Sequence, residues 1–180
     1  LSIGDPTIVT GSTATGRAIM TAAAQSNMKR PYLELGGKGA NVVFPDADLA
    51  KAAGATAWSV TYNAGQMCSA GSRLIVHESV KDEVLAMVLE HMGALTPDDP
   101  LNHDAPLGAI ASARQLATIH GIVTEGLAER GELLLGGAPV RTDSGGSYYP
   151  PTVVDGLLPE SLLAQREVFG PVLSVLTFRT

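Results

Sequence analysis

Residues 65–77 read Gly-Gln-Met-Cys-Ser-Ala-Gly-Ser-Arg-Leu-Ile-Val-His, a glycine-flanked turn that leads directly into an apolar segment. The apolar part, 73–77, predicts a β-strand, and the Ser79-x-x-Asp82 pattern after it resembles the capping box of a following helix. The turn contains Cys68, the only cysteine in the sequence. Small neighbours at the edge of a strand leave this thiol room to react with a substrate, whereas a structural cysteine more often lies inside a periodic apolar segment.

Segments on both sides of this stretch alternate between strand-like and helix-like patterns. Such alternation is typical of an α/β fold with a largely parallel sheet. The polar segment 141–151 is rich in Gly and predicts a surface hairpin. The expected strands are at 8–9, 32–35, 41–44, 73–77, 132–135 and 172–178, and the expected helices are at 16–27, from 48 to 62, from 79 onward and at 112–130.

Composition and charge exclude several classes of function. The chain has 180 residues, 45% of them hydrophobic and 17% charged, as in an ordinary globular protein. The net charge of −6 and the lack of a Lys/Arg cluster argue against binding to nucleic acid or to an anionic membrane surface. No apolar run has the length of a membrane span. A lone cysteine forms no internal disulfide, so the cytoplasm is the expected location.

The two ends of the sequence suggest a piece of a longer protein. The first residue is Leu1 rather than Met, and the apolar run 172–178 stops two residues before the end. Because a strand at a terminus usually needs neighbours from elsewhere in the chain, we expect further sequence to accompany this segment.

The segment 11–16, Gly-Ser-Thr-Ala-Thr-Gly, lies between a predicted strand and a predicted helix. Backbone N–H groups and the helix dipole at such a position favour an anion such as a pyrophosphate. The two glycines have P-loop spacing, but Arg17-Ala18 replaces the Lys-Ser/Thr that magnesium-dependent nucleotide hydrolysis needs. The pattern fits an anion site and an ordinary strand-to-helix turn equally well.

Glu34 stands between Leu33 and Leu35 in a predicted strand that should be buried on both faces. Burial of a lone carboxyl raises its pKa, which suits a general base. A structural ion pair with Lys38 or Arg30 explains the residue as well, and both interpretations stay open at this point.

The histidines give no sign of a metal site. His77, His91, His103 and His120 are scattered, and no two of them have the spacing of metal ligands. None lies near Cys68 in the sequence, so a Cys-His hydrolase has no support.

Four motifs follow one another over most of the chain: Thr10-Gly11-Ser12-Thr13-x-x-Gly16, Glu34-Leu35-Gly36-Gly37-Lys38, Gly65-Gln66-x-Cys68-x-Ala70-Gly71-x-Arg73 and Glu167-x-Phe169-Gly170-Pro171-Val172. Together they resemble the aldehyde dehydrogenase superfamily, of the NAD(P)-dependent hydrolytic type, and they occur in that family's order. The chain would correspond to the middle third of a full-length member.

The resemblance implies a reaction and a set of site residues. Cys68 would attack the aldehyde to form a thiohemiacetal, hydride would pass to NAD or NADP, and Glu34 would activate the water that hydrolyses the thioester. The N–H of Cys68 would form half of an oxyanion hole. The implied cofactor contacts are Gly11, Ser12, Gly16, Leu35, Glu167 and Phe169, with Gln115 at a position that contacts the adenosine ribose in some members. The implied substrate contacts are Tyr62, Met67 and Ser69.

The resemblance also implies an organisation and leaves alternatives. Residues 1–36 would end a Rossmann-like cofactor domain, and 37–180 would form most of the catalytic domain of a homodimer or homotetramer that acts on a small aldehyde. The family's second oxyanion donor, an Asn, would lie upstream of Leu1, so the segment alone is expected to be inactive. Two alternatives are an enzyme that passes the acyl group to coenzyme A, although such relatives generally lack the base that Glu34 matches, and a truncated, non-catalytic relative.

Overall fold

The computed structural model describes residues 7–180, which divide into a small unit that ends at Gly37 and a large unit, Lys38–Thr180. In this part of the chain, no helix combines the length and the apolar character needed to cross a bilayer. The strands are β1 (Thr7–Gly11), β2 (Pro31–Leu35), β3 (Ala40–Val43), β4 (Arg73–His77), β5 (Glu132–Leu135), β6 (Thr152–Asp155) and β7 (Val172–Phe178), and the helices are α1 (Thr13–Gln25), α2 (Leu49–Thr61), α3 (Lys81–Gly93), α4 (Ala113–Glu129) and α5 (Leu162–Gln165).

The small unit is a parallel β1–β2 pair connected by α1. The side chains of Leu33 and Leu35 lie against Gly16 of α1, so they are partly buried. Glu34 points to the other face of the strand and is exposed. The expectation that this strand is buried on both faces is therefore wrong for Glu34, because α1 covers only one face of the pair.

The large unit is built on a five-stranded sheet with the order β3-β4-β7-β6-β5. All neighbouring strands are parallel except β5 and β6, so the predicted α/β fold with a largely parallel sheet is confirmed. Alternate side chains of β7 belong to two separate apolar clusters: Leu173 and Val175 pack with residues of α2 and α3, and Val172 and Leu176 with residues of α4 and α5. The sheet is thus covered by helices on both faces.

Three local predictions differ from the structure. α1 covers Thr13–Gln25 rather than 16–27, because Ser12 caps its start. α3 begins at Lys81 rather than Ser79, after a 3-10 turn, and the predicted capping box does not form because the ring of His77 accepts the Ser79 N–H at 3.2 Å. The segment 141–151 does close a hairpin-like bridge, but its Tyr148 and Tyr149 are buried. The segment was predicted to lie on the surface because most of its residues are polar, but its two aromatic side chains are part of the core. Strand β6 follows directly.

Candidate active site

Cys68 lies in a tight turn just before β4. The N–H of Ala70 donates to the carbonyl of Met67 at 3.2 Å and closes this turn. The side chains of Cys68 and Ser69 are exposed, and that of Met67 is half-buried. The thiol is therefore accessible, five residues before the start of β4.

The backbone just before Cys68 adopts an unusual conformation. Asn63, Ala64 and Gly65 have φ values of 51°, 54° and 70°, so three consecutive residues are left-handed. A Cβ on Gly65 would lie 2.2 Å from the carbonyl of Gly170, so only glycine permits this approach. The contact joins the Cys68 motif to the Glu167–Val172 motif within the large unit.

The turn is also held from behind by β3 and α2. Asn41 donates from its side-chain amide to the carbonyl of Gly71 at 2.9 Å and to Ser59 at 3.3 Å. The N–H of Arg73 donates to the carbonyl of Gly39 at 2.9 Å. These bonds fix the end of the Cys68 turn and the start of β4 relative to β3 and α2.

The second loop of the site contains Glu167 and Phe169. Phe169 has a φ of 54° and is 39% exposed. The side-chain amide of Gln115, in the first turn of α4, donates to the carbonyls of Val168 and Phe169 at 3.3 and 3.1 Å. Gln115, which the resemblance assigned to the adenosine ribose, therefore contacts the backbone of this loop.

A buried amine that sequence reasoning did not predict lies beside this loop. Within residues 7–180, the Nζ atom of Lys38 is buried without a hydrogen-bond partner. Burial and, to a smaller extent, the positive charge of Arg73 lower the pKa of Lys38 to about 8, against the opposing effect of the Glu167 carboxylate. Two cations and one carboxylate thus interact here at close range.

Two aromatic residues at the end of α2 form one wall of a cavity. The rings of Trp58 and Tyr62 lie 5.0 Å apart, and both residues are at least half exposed. With Leu95 and residues 106–109 they line a cavity of about 360 Å³. Trp58 was not predicted, although its i, i+4 spacing from Tyr62 is visible in the sequence. Met67 and Ser69, predicted as substrate contacts, are not among the lining residues in the described part of the chain.

The small unit contains the other predicted site residues. Ser12 caps α1, its hydroxyl accepting the Thr15 N–H at 3.1 Å, and residues 12–15 are exposed. Gly16 is buried, and a Cβ there would lie 2.6 Å from the side chain of Leu35. Arg30 makes no ion pair with Glu34 in the described residues, so that structural explanation is not supported. The unit brings Gly11, Ser12, Gly16 and Leu35 together, and in the large unit the motifs of Cys68 and of Glu167 and Phe169 meet where Gly65 lies against Gly170.

Known proteins match this chain along nearly its whole length. The sequence model of the "Aldehyde dehydrogenase family" matches residues 5–180. An aldehyde dehydrogenase-like protein of Schizosaccharomyces pombe is 40% identical over 98% of the chain and 35% of the relative. The NADP/NAD-dependent aldehyde dehydrogenase PuuC of Escherichia coli is 40% identical over 97% of the chain and 34% of the relative.

Solved structures match equally well. An indole-3-acetaldehyde dehydrogenase in complex with NAD+ has a TM-score of 0.95 and 43% identity, covering 98% of this chain and 36% of that one. A gamma-glutamyl-gamma-aminobutyraldehyde dehydrogenase of Burkholderia cenocepacia has a TM-score of 0.93 and 45% identity, with the same coverage. The chain spans about a third of the length of the curated relatives it matches. Because family model, sequences and folds agree over nearly all of its residues, the chain belongs to the aldehyde dehydrogenase family.

Proposed function

We propose that this chain provides the nucleophile and general base of an enzyme that oxidises an aldehyde to a carboxylic acid with NAD+ or NADP+. The family supports this reaction class, and so do the names of relatives, which include an NADP/NAD-dependent aldehyde dehydrogenase and an NAD+ complex. Residues 1–36 would belong to the cofactor domain and 37–180 to the catalytic domain, close to the observed division after Gly37.

The observation that carries the proposal is the exposed thiol of Cys68 in a turn tied by Gly65 to the loop of Glu167 and Phe169. In the proposed reaction the Cys68 sulfur attacks the aldehyde carbon, and the N–H of Cys68 donates to the resulting oxyanion. When hydride leaves that carbon, the carbonyl re-forms as a thioester. A turn fixed on three sides suits this chemistry because attack requires the sulfur to be held close to the carbonyl carbon.

Glu34 is proposed to remove a proton from the water that attacks the thioester. An exposed carboxylate without an ion-pair partner among the described residues is free to accept that proton. Water oxygen then bonds to the acyl carbon, the bond from that carbon to sulfur breaks, and the sulfur leaves as a thiolate while Glu34 passes the proton from the water to solvent.

One feature of the described residues supports contact with a dinucleotide. The first turn of α1 is exposed, and its N–H groups and dipole favour a pyrophosphate beside Gly11, Ser12 and Gly16. We propose that Leu35 contacts the nicotinamide amide through its backbone, that Glu167 holds the nicotinamide ribose and that Phe169 packs beside it. When bound, the cofactor accepts the hydride.

The cavity walled by Trp58 and Tyr62 is proposed to admit the aldehyde. Its aromatic wall favours an apolar or aromatic group next to the reacting carbon. Met67 and Ser69 would flank the sulfur rather than line this cavity.

The test of the reaction needs the remaining length that family members have, so the segment is studied within such a full-length chain. Glu34→Gln should leave a burst of reduced cofactor of about one equivalent and slow the steady state roughly 10²–10⁴-fold, because only deacylation loses its base. Cys68→Ala should abolish the burst as well, because no covalent intermediate forms.

Three outcomes decide the proposal. A normal steady-state rate for Glu34→Gln would remove the hydrolytic role from this residue. Turnover that appears only when coenzyme A is added would assign the acylating reaction instead. In the 180-residue chain itself, iodoacetamide should alkylate Cys68 faster than in urea-denatured protein, and equal rates would argue against a reactive thiol.

A further inference from the structure

The side chain of Gln66 has no part in the proposed chemistry, yet it is hydrogen-bonded at both ends. Its Oε1 accepts the N–H of Ala111 at 2.9 Å, and its Nε2 donates to the carbonyl of Asn63 at 3.1 Å. A backbone N–H needs an acceptor and a carbonyl needs a donor, so these two partners fix the orientation of the amide. Asn63 in turn donates from its side chain to the carbonyl of Gln66 at 3.2 Å.

The backbone of the turn that Gln66 closes is strained. Asn63 and Ala64 are left-handed without being glycines; asparagine tolerates this conformation, but for Ala64 it costs about 1–2 kcal/mol. Such strain persists only where the surroundings impose it. The left-handed path is also what brings Gly65 against Gly170. Cys68 follows three residues after Gly65, so its position depends on this path.

Ala111, the partner of the Gln66 side chain, lies in a part of the fold that is held by several contacts. Ala111 lies 45 residues from Gln66 and directly precedes Ser112, the cap of α4. The neighbouring Ile110 is buried, and its N–H donates to the carbonyl of Ser147 at 2.7 Å. Within α4, Ile119 packs against Gly170. Gln66 therefore ties the strained turn to the same helix that supports the Phe169 loop.

We propose that Gln66 is a positioning residue for Cys68, acting through its hydrogen bond to the N–H of Ala111. This bond holds the turn that leads to Cys68 against the start of α4, while Gly65 of the same turn lies against Gly170. The catalytic consequence rests on the proposed function, but the structural consequence does not.

The first test uses the 180-residue chain. Gln66→Met keeps the size of the side chain and removes both hydrogen bonds, whereas Gln66→Glu keeps an acceptor for Ala111. In Q66M, peptides covering 62–72 and Ala111 should exchange amide hydrogen roughly tenfold faster, as expected for the loss of about one net hydrogen bond. Trp58 is the only tryptophan, and its ring lies on Tyr62 at the start of the turn, so its emission should shift as well.

Matched variants separate this effect from general destabilisation. Gln165→Met also removes a hydrogen bond from a side-chain amide to a backbone carbonyl, that of Pro159. This variant should leave the amide exchange of 62–72 and the Trp58 emission unchanged. The amide hydrogens of 62–72 and Ala111 should exchange more slowly in Gln66→Glu than in Q66M. If Q66M does not fold, Ala111→Pro removes the donor from the other end and should reproduce the exchange at 62–72. Wild-type exchange and emission in Q66M, or a Q66E no better than Q66M, would overturn the proposal.

The second test uses the segment in a full-length chain. Q66M should lower the burst rate roughly 10–100-fold, as a misplaced nucleophile does, with a change of less than about twofold in the KM for NAD+. An unchanged burst rate alongside faster exchange would overturn the positioning role. If the full-length chain with the unmodified segment oxidises no aldehyde, the proposed function fails, while the exchange and fluorescence experiments still decide whether Gln66 holds the turn.

Discussion

The turns at 11–16 and at 63–71, both assigned a part in the chemistry, are held in opposite ways. In the first, the side-chain bond is local: Ser12 accepts the N–H of Thr15, three residues ahead. In the second, the partners are distant: Ala111 is 45 residues from Gln66, and Asn41 is 30 residues from Gly71. The first turn can form from its own few residues, whereas the second takes its shape only when the large unit has folded.

The largest expected effect tests whether the second turn depends on a distant backbone. Gly65→Ala should lower the free energy of unfolding of the large unit by about 3–5 kcal/mol, since a left-handed alanine is strained and its Cβ overlaps the Gly170 carbonyl. Denaturant titration of the 180-residue chain measures this change.

The control for Gly65 is Gly145, which has a similar φ of 74° but nothing within 4 Å of an added Cβ. Gly145→Ala should cost only the conformational part, about 1–2 kcal/mol. If both substitutions cost the same, the Gly65–Gly170 contact does not constrain the turn.

A second prediction concerns the charges beside the Phe169 loop, which also come from distant parts of the chain. The pKa of Lys38 is lowered from 10.5 to about 8, chiefly by burial and then by Arg73, against the attraction of Glu167. The unfolded chain therefore binds a proton more readily than the folded chain between pH 8 and 10.5. Keeping the amine charged in the folded protein therefore lowers the free energy of unfolding. This loss of stability is fully present below pH 8 and disappears as the pH rises to 10.5.

The free energy of unfolding of Lys38→Met, relative to that of the wild type, should accordingly be highest below pH 8. The difference in free energy of unfolding between the two proteins should shrink by roughly 3 kcal/mol at most between pH 7 and 10.5. Lys51→Met, at an exposed lysine, should show no such slope. A pH-independent difference for Lys38→Met would mean that the amine is not buried as a charge in the folded protein.

The smallest expected effect tests the local turn. Ser12→Ala removes the cap of α1 and should cost about 1 kcal/mol, whereas Ser12→Asn keeps a capping oxygen and should cost less. Amide hydrogen exchange in α1 measures both. Equal losses in the two variants would show that the hydroxyl bond to Thr15 does not hold this helix.

Much of the fold was predictable because it depends on local pattern. The apolar alternation of 73–77 and 172–178 predicted β4 and β7 at their observed bounds. Ser112 and Asp48 were recognised as helix starts because their caps bond three residues ahead. β6 was not predicted, because its four residues follow two prolines and its burial between β5 and β7 is a property of the assembled sheet.

The sequence proposes reactive groups for the site, but it does not predict their surroundings. Cys68 and Glu34 stand out in the sequence because a lone thiol in a glycine-rich turn and a carboxylate between leucines are unusual there. The exposure of Glu34 was predicted wrongly, since the strand pattern does not say which face α1 covers. The cavity wall formed by Trp58 and the hydrogen bond from Ala111 to Gln66 were not predicted, because each depends on contacts in the folded chain rather than on a motif.

The sequence by itself therefore determined the order of strands and helices, the local caps and the family, all of which depend on residues a few positions apart or on motif order. Only the tertiary structure decided the left-handed path before Cys68, the burial of the Lys38 amine and the bond from Gln66 to Ala111. The physical reason is the same in each case: backbone strain and buried polar groups are tolerated only when partners from distant parts of the chain meet them, and those partners are defined by packing.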